Sequence, residues 1–529
     1  MSKVAQSITS IAARSASDYD TICSSVIGYV TSYLGSIGSM KIVSITDTHF
    51  AEENIDGHRK STIADILLQR AVHRVNKMIK PDVTLFLGDV NQGANPTLHE
   101  IMRGILDQIN SPTIVLPGNH DGLVDKFYEV FDRPPDTVDI DGVRFLPFCD
   151  KRYPHGNAER TEKDLQRMMA ARNGHDGPIV SLQHTSLLPP GATDCQFQVF
   201  NADEIMTAMR HAGINLSISG HFHQGYDHVP SGDLSFVVTP ALCDPPFYFH
   251  EIDLDRDNLS VTRHQLAMPE ELELIDTHVH TPFAYCSRNM DIPRVIEIGK
   301  ELSLKGIVFA EHTGQLYFDE PTFWEAQFLI DGMESKEGWN NRMPEYLSAV
   351  ESFADSFVSV GLEVDTDYRA RPVIFEEDRK RLHFVVGGIH WLSELQKSEP
   401  NVDKASDEFL FMMKGICSSG VHTFAHPLRV FRRAGVKVPK EIIQPTVKLL
   451  RKYDVACEIN CHNNKPSLPL IKECLKAGVK FTFGGDVHTM YEVGEFHPNI
   501  ELLRQCNFNG NLNDILLDVD SILRRAAAT

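Results

Sequence analysis

The sequence predicts an α/β protein in which a layered α/β unit is followed by a barrel-like (β/α) unit. Two observations predict this arrangement. Short β-branched runs recur along the 529 residues, and most of them stop at Asp, Asn or His. Stretches with helical spacing lie between them, for example residues 63–79, 99–109 and 160–171. Because strands covered on both faces show continuous apolar runs, the pattern predicts parallel strands inside α/β layers.

Composition limits the classes of partner. The 51 basic and 72 acidic residues give a net charge of -21, which disfavours binding to long nucleic acids but not to small phosphorylated substrates. The ten cysteines contain no CxxC pair and no disulfide framework spacing, so we expect reduced thiols in a cytoplasmic protein.

Residues 1–39 are predicted to be an N-terminal extension. Residues 21–39 are uncharged but rich in Ser, Gly and Thr, and they follow Asp18 and Asp20 rather than a basic segment. We therefore expect a solvent-facing extension or a short amphipathic helix, and neither a signal peptide nor a membrane anchor.

The first unit is predicted over residues 40–265, with five short strands. Each strand stops at a polar cluster, so their carboxyl ends should deliver polar side chains to one rim, where α/β domains place their sites. The strands are KIVSIT before Asp47, VTLFL before Asp89, TIVLP before Asn119, PIVSLQ before His184 and NLSIS before His221.

A second series of runs begins after the segment AMPEE, residues 267–271, which we interpret as a linker. Seven runs follow between residues 272 and 483, each stopping at potential ligands. Seven strand–helix units with polar residues at one end predict a distorted (β/α)7 barrel over residues 270–529, with its chemistry at the C-terminal face.

Polar residues at the strand ends of the first unit form a mixed oxygen and nitrogen set. A single such histidine is more often a hydrogen-bonded core residue than a ligand, but a whole set at aligned strand ends favours metal binding. The set suits two borderline divalent metals, Mn²⁺, Fe or Zn²⁺, with Asp89 shared between them. It comprises Asp47, His49, Asp89, Asn119, His184, His221 and His223.

These residues carry a resemblance to the calcineurin-like metallophosphoesterases. The motifs are D-x-H at residues 47–49, G-D at 88–89, G-N-H-D at 118–121, His184 alone, and G-H-x-H at 220–223. With LPPG after His184, the unit is most similar to the class III cyclic-nucleotide phosphodiesterase branch. The resemblance implies a metallophosphoesterase sandwich with two ions. It assigns Asp47, His49, Asp89 and His223 to one ion, and Asp89, Asn119, His184 and His221 to the other.

His120 and Asp121 are the candidate catalytic residues of this unit. His120 follows the ligand Asn119 directly, and we expect Asp121 to orient its ring. A histidine so placed is suited to protonate the leaving oxygen of a phosphate ester.

The second unit resembles the polymerase-and-histidinol-phosphatase (PHP) family over about residues 270–510. The motifs are H-x-H in DTHVH, E-H in AEHTG, the Glu of GLEVD, the His of GGIHW, H-P in FAHPL and D-x-H in GGDVH. The resemblance implies a second metal-dependent phosphoesterase centre. Its candidate ligands are His278, His280, His312, Glu363, His390, His426, Asp486 and His488.

Cys286 leaves the number of ions in the second unit open. It lies six residues after His280, where histidinol phosphatases similar in the HTPF segment present another histidine ligand. A thiolate binds Zn²⁺ or Fe well, but a cysteine also packs as a small apolar side chain. The second unit is thus predicted to hold two or three ions.

Two arginines are candidates for binding substrate phosphate in the second unit. Arg429 follows His426 by three residues, and Arg288 follows the HTPF segment. A guanidinium binds a terminal phosphate through two parallel hydrogen bonds, although an arginine in a loop is by default a surface residue.

Together the two resemblances imply a bifunctional enzyme. The first unit would open a phosphodiester, with a cyclic nucleotide as one candidate, and the second would hydrolyse a phosphomonoester. Two alternatives stay open: a nuclease that processes nucleic-acid ends, and a chain with one active unit and one regulatory scaffold. Basic runs at residues 369–371, 379–381 and 429–433 are the sequence feature that favours the nuclease.

Overall fold

The computed structural model describes residues 39–255 and 258–527, so the predicted extension lies, apart from Ser39, outside the described residues. In the N-terminal half of the described chain, two sheets face each other. Their strands are β1 (Met40–Ile45), β2 (Val83–Phe86), β3 (Thr113–Val115), β4 (Val138–Ile140), β5 (Val143–Pro147), β6 (Lys151–Arg152), β7 (Ala158–Glu159), β8 (Ile179–Leu182), β9 (Leu216–Ser219), β10 (Tyr226–Ser231), β11 (Leu234–Val238), β12 (Tyr248–Leu254) and β13 (Leu259–Gln265).

The two sheets form the inner layers of a sandwich. One sheet has the order β13-β12-β1-β2-β3 and the other β10-β11-β9-β8-β5-β4, while β6 and β7 form a separate pair. Apolar side chains such as Ile42, Leu85, Phe145 and Ile218 fill the space between the sheets. Helices cover the outer faces: α1 (Ala64–Arg74), α2 (Pro96–Leu106), α3 (Val124–Phe127), α4 (Glu162–Met169) and α5 (Ala202–Ala212).

The C-terminal half is built on one parallel sheet. Its order, β14-β15-β16-β17-β18-β19-β20, follows the chain, and Val279 bridges in parallel to Val487, so the first strand lies beside the segment that follows the last. The described strands are β14 (Ile275–Val279), β15 (Gly306–His312), β16 (Val358–Asp365), β17 (Phe384–Gly388), β18 (Thr423–Phe424), β19 (Ala456–Ile459) and β20 (Phe481–Phe483).

Helices connect these strands and cover the outside of a nearly closed barrel, which confirms the predicted α/β sandwich and distorted (β/α)7 barrel. They are α6 (Ile292–Glu301), α7 (Thr313–Tyr317), α8 (Glu320–Trp324), α9 (Phe328–Asp331), α10 (Met343–Glu351), α11 (Glu376–Arg379), α12 (Val402–Ser418), α13 (Arg429–Arg433), α14 (Ile443–Tyr453), α15 (Leu468–Ala477), α16 (His497–Gln505) and α17 (Val519–Ala527).

The segment interpreted as a linker begins buried, at Ala267 and Met268, and ends with Glu270 and Glu271 exposed. Leu266, Ala267 and Met268 are buried in an apolar cluster that includes residues of both halves, and Met268 N–H donates to the carbonyl of Leu302 at 3.0 Å. Because burying apolar surface stabilises an interface, the two halves are held together by a continuous core. None of the helices in the described ranges combines the length and apolar character that crossing a bilayer requires.

Candidate metal centres

The predicted ligands of the first centre lie at the rim where β1, β2, β8 and β9 end. Asp47, His49, Asp89 and His221 all have positive φ angles, between 45° and 69°. Left-handed backbone costs a non-glycine residue about 1–3 kcal/mol and concentrates at functional sites. The chain thus turns sharply at the strand ends, which brings these side chains into the rim.

Four predicted ligands, Asp47, His49, Asp89 and His223, surround the first of two adjacent positions. His49 Nε2 lies 3.5 Å from Asp47 Oδ1 and 3.5 Å from Asp89 Oδ2. His223 Nε2 lies 3.5 Å from Asp47 Oδ1 and 3.2 Å from His49 Nε2. Carboxylate oxygens and imidazole nitrogens gathered around one point are a donor set for a divalent transition metal.

The second position shares Asp89 with the first. His184 Nε2 lies 3.4 Å from Asp89 Oδ2, 3.0 Å from Asn119 Oδ1 and 3.1 Å from His221 Nδ1. Asp89 Oδ2 therefore faces His49 and His184. The structure brings all seven predicted residues of this set together, with Asp89 between the two groups.

Outer hydrogen bonds orient the histidine rings. His223 Nδ1 lies 2.8 Å from Asp244 Oδ2, and His184 Nδ1 donates to the carbonyl of Leu87 at 2.7 Å. Burial lowers the pKa of His223, but its hydrogen bonds to Asp244 and Asp47 outweigh burial and raise the pKa to about 10. Such partners fix which ring nitrogen faces a metal and increase its basicity.

His120 lies at the edge of the first centre. Its backbone N–H donates to Asp89 Oδ1 at 2.7 Å, and its ring packs edge-on against that of His49 with 4.8 Å between centroids. Burial lowers the pKa of His120. The side chain is only half-buried, so it is accessible to a substrate at the rim.

Asp121 has different surroundings from those expected. Its carboxylate is 1% exposed and accepts hydrogen bonds from the N–H groups of Val90 at 3.0 Å and Gly118 at 2.8 Å, and it lies 3.1 Å from His99 Nε2. Within the described residues these bonds, rather than one to the His120 ring, engage the carboxylate. Asp121 therefore fixes the two loops that carry the shared carboxylate and the amide ligand.

The second centre is organised around Glu363, which is fully buried inside the barrel. Burial by itself raises the pKa of this carboxyl, but the surrounding imidazoles, His390 and His312 foremost, hold it well below its usual range. Three histidine nitrogens surround its Oε2: His312 Nδ1 at 2.7 Å, His278 Nε2 at 3.3 Å and His280 Nε2 at 3.9 Å. Two others lie near its Oε1, His426 Nε2 at 2.8 Å and His390 Nε2 at 3.1 Å.

Asp486 and His488 complete the second set. Asp486 Oδ1 lies 3.0 Å from His280 Nε2 and 3.7 Å from His278 Nε2. His280, His312 and His488 each offer a ring nitrogen within 4.8 Å of the others. All eight predicted ligands therefore lie in one cluster, whose members form overlapping groups around Glu363, Asp486 and the histidine trio.

Carboxylates behind three of these histidines bind their outer ring nitrogens, an arrangement that fixes ring orientation. One of these carboxylates belongs to Glu311, the residue before His312, and it also accepts a hydrogen bond from the Thr281 hydroxyl at 2.7 Å. The pairs are His278 Nδ1 with Glu458 Oε1 at 2.8 Å, His280 Nδ1 with Glu311 Oε1 at 3.0 Å, and His390 Nδ1 with Asp365 Oδ1 at 2.7 Å.

Cys286 lies at the edge of the histidine trio. Its Sγ is 3.0 Å from His488 Nε2 and 3.2 Å from Gln315 Nε2. Burial raises the pKa of the thiol to about 12, and the Gln315 hydrogen bond offsets this only in part. The position suits a metal-bound thiolate and a packed thiol alike, so Cys286 stays a predicted ligand.

The two candidate arginines occupy different environments. The Arg429 side chain is 15% exposed and its guanidinium forms an ion pair with Asp486 Oδ2, so it reaches the second centre. The Arg288 side chain is exposed, and its backbone N–H donates to the carbonyl of His488 at 2.8 Å. Arg429 is therefore better placed to bind a substrate phosphate.

Both donor sets fit divalent cations. Among the residues that the structure describes, several buried atoms that face the centres have no hydrogen-bond partner, and an unsatisfied buried polar atom costs about 1–3 kcal/mol. Cations bound at the two centres would satisfy them. These atoms are Asp47 Oδ1, His278 Nε2, His312 Nδ1, Glu363 Oε2 and His390 Nε2.

Sequence reasoning missed the residues that orient the ligands. Gln92 Oε1 lies 2.9 Å from His49 Nδ1, while Asp244 and Glu458 hold His223 and His278. Gln92 lies three residues after Asp89. Glu458 lies within the predicted strand VACEI, and a charged residue inside an apolar strand could have indicated a buried functional role. Asp244 lies in a loop without any motif.

Two family models match the chain. One, described as calcineurin-like phosphoesterase, matches residues 40–225, and the other, described as PHP domain, matches residues 276–462. The first match contains all candidate ligands of the first centre, whereas Asp486 and His488 of the second centre lie beyond the second match.

Known relatives resemble the N-terminal half. A probable cyclic nucleotide phosphodiesterase from Synechococcus is 25% identical over 219 residues, which is 40% of this chain and 84% of the relative. A cAMP/cGMP dual specificity phosphodiesterase from Mycobacterium tuberculosis is 24% identical over 219 residues, which is 38% of this chain and 65% of the relative. A dimetal phosphatase from Danio rerio aligns structurally with a TM-score of 0.36 and 15% identity over 43% of this chain and 96% of its own. By the two family models, residues 40–225 match the calcineurin-like phosphoesterases and residues 276–462 match the PHP domain.

Proposed function

We propose that the chain is a bifunctional metal-dependent phosphoesterase, in which the first domain hydrolyses a phosphodiester and the second a phosphomonoester. The observation that carries the proposal is the presence of two separate donor sets, each with a carboxylate shared between groups of histidines. Pairs of divalent ions supply Lewis-acid stabilisation of phosphoryl charge and activation of water when they are bound.

In the first domain we assign the proton transfer to His120. Water adds to phosphorus and loses a proton to solvent, one ester P–O bond breaks, and the leaving oxygen takes a proton from the His120 ring, which solvent then reprotonates. Asp121 supports this step by holding the loops of the ligands Asp89 and Asn119. The half-buried position of His120 at the rim gives room for the leaving group.

In the second domain we assign phosphate binding to Arg429, with Arg288 as the weaker candidate. Arg429 lies beside Asp486, so its guanidinium is positioned to bind an oxygen of a terminal phosphate at the ligand cluster. The ligands in this domain are proposed to hold two or three ions of Mn, Fe or Zn, and those of the first domain two.

We propose a small, nucleotide-like substrate. The relatives named as cyclic nucleotide phosphodiesterases support a cyclic nucleotide as the diester. The basic run at residues 369–371 does not support a nucleic-acid track, because Arg369 pairs with Asp331 and Glu334, and Arg371 pairs with Asp367 and Glu334. The net charge of -21 also disfavours binding to the polyanionic backbone of a long nucleic acid. Cytoplasmic localisation and domain limits at residues 265 and 270 stay predictions.

A screen of the full-length chain tests the proposal. Cyclic nucleotides, linear nucleotide diesters, nucleoside monophosphates and single-stranded oligonucleotides are assayed with Mn²⁺, Zn²⁺ or Fe²⁺ as the sole added metal. We expect turnover of a small diester and of a small monoester. Preferential cleavage of oligonucleotides with a steep salt dependence would instead identify a nuclease.

A further inference from the structure

An arginine of the first domain is buried in the second. Arg70, on α1, is 1% exposed. Its guanidinium donates to the carbonyls of Tyr491 at 3.2 Å, Val493 at 2.6 Å and Gly494 at 2.9 Å, and Arg70 Nε lies 2.8 Å from Glu495 Oε2. A planar guanidinium that donates to three carbonyls between residues 491 and 494 fixes the path of the backbone there.

Arg70 binds the segment of residues 490–495, which we name the clamp loop. It follows the ligands Asp486 and His488 within a few residues. The N–H of Gly494 in this loop donates to Asp276 Oδ2 at 2.9 Å. Asp276 Oδ1 in turn accepts from the N–H groups of Gly485 at 2.8 Å and of the ligand His278 at 3.2 Å. The buried Asp276 carboxylate thus joins the clamp loop to the backbone beside two ligands.

A second connection runs through Glu492. Its Oε2 accepts from the backbone N–H of His488 at 3.1 Å and from the Thr489 hydroxyl at 2.8 Å. Its Oε1 lies 2.6 Å from His462 Nδ1, and the His462 ring stacks on that of His488 with 4.6 Å between centroids. A shift of the clamp loop would therefore move a ligand and the ring that packs on it.

Arg74, one turn along α1, binds the end of the same loop. Its Nη2 lies 2.8 Å from Glu495 Oε2, and its Nη1 donates to the carbonyl of Gln265 at 2.6 Å. Burial raises the pKa of Glu495, but Arg70 and Arg74 together hold it well below its usual range. Removing one partner from such a buried network leaves the others uncompensated, so the loop depends on both arginines.

We propose that Arg70 is a positioning residue for the second metal centre, so that the first domain completes the ligand geometry of the PHP domain. The route runs from its guanidinium through the clamp loop and Asp276 to His278, and through Glu492 to His488. The inference deepens the proposed function of the second domain, but its main readout is metal affinity.

The experiment measures metal affinity in the full-length chain. Asp47→Asn and Asp89→Asn are combined to disable the first centre, and Zn²⁺ binding is titrated against a competing chelator in this background. Arg70→Met and Arg70→Lys are compared with Arg294→Met. Arg294 is the matched control, because it also crosses between the halves, to Asp65 at 2.9 Å and the Thr62 carbonyl at 2.8 Å, without touching the clamp loop.

We expect Zn²⁺ affinity to fall roughly tenfold in Arg70→Met, as for other residues that hold ligands from outside the coordination sphere. Arg70→Lys should fall less, and Arg294→Met should leave the affinity unchanged at a similar melting temperature. Equal affinity in Arg70→Met and Arg294→Met would overturn the proposal. If Arg70→Met does not fold, Glu495→Gln, which weakens the same clamp, must lower affinity more than Arg294→Met does. If the wild-type chain binds Zn²⁺ but hydrolyses no monoester, the proposed function is refuted. The comparison of Zn²⁺ affinities still tests the role of Arg70.

Discussion

The two metal centres differ in where the chain places their ligands. The first lies on loops at the rim of a sandwich, where His223 keeps 20% of its side chain exposed. The second lies within the barrel, where β14, β15 and β16 carry His278, His312 and Glu363 inside the strands rather than after them. Inward side chains of barrel strands converge on the interior, which makes a deeper site.

The difference also extends to what holds each centre in place. The first is supported by its own loops, through Asp121 and Asp244. The second is supported by carboxylates in neighbouring strands and by the clamp loop, which Arg70 of the first domain holds. We propose that the more exposed rim accepts both ester arms of a diester, whereas the buried centre accepts a terminal phosphate. This contrast supports assigning the diester to the first domain and the monoester to the second.

The largest expected effect comes from neutralising the carboxylate at the middle of the deep centre. Glu363→Gln removes the charge that five histidine nitrogens surround, and we expect a roughly thousandfold loss of monoesterase rate, because metal ions contribute several kcal/mol to such reactions. Metal content and phosphate release from a monoester are measured together. Glu394→Gln, a buried glutamate of the same domain that pairs with Lys397, is the control. Comparable losses in both variants would mean that general destabilisation explains the result.

A smaller effect is expected at the rim. His120→Ala should slow hydrolysis of alkyl diesters about a hundredfold or more, and activated aryl diesters much less, since a good leaving group needs no proton. Metal content should not change. His228→Ala, which removes an exposed β10 ring whose Nε2 lies 2.9 Å from Ser235 Oγ, serves as the control. Equal slowing of both substrate types would exclude His120 as the proton donor.

The smallest expected effect concerns the number of ions in the deep centre. If Cys286 is a ligand, Cys286→Ser should weaken Zn²⁺ binding there by at least about tenfold, and Cys286→His should restore it. Cys506→Ser tests for unspecific effects of losing a thiol. A packed cysteine would tolerate Ser and suffer from the bulk of His, so unchanged metal content in Cys286→Ser with a defective Cys286→His would leave a two-ion site.

Local sequence patterns predicted much of this fold and most of the ligand clusters. Strand ends such as those before Asp47 and Asp89 combine β-branched runs with ligand residues, and both signals are local. The strands β10 to β13 were not predicted; β10 contains Pro230 and none of its six residues is fully buried. The roles of Asp121 and Arg70 were also not accessible, because their partners are set by tertiary packing.

One time course tests most directly the proposal that the first centre hydrolyses a diester and the second a monoester. Wild-type chain, Asp89→Asn and Glu363→Gln are each given the phosphodiester found by the screen, and the diester, the monoester and free phosphate are quantified together. We expect Glu363→Gln to consume the diester and accumulate the monoester. Asp89→Asn should leave the diester intact but release phosphate from added monoester. Equal loss of both activities in either folded variant would contradict two separate centres with separate substrates.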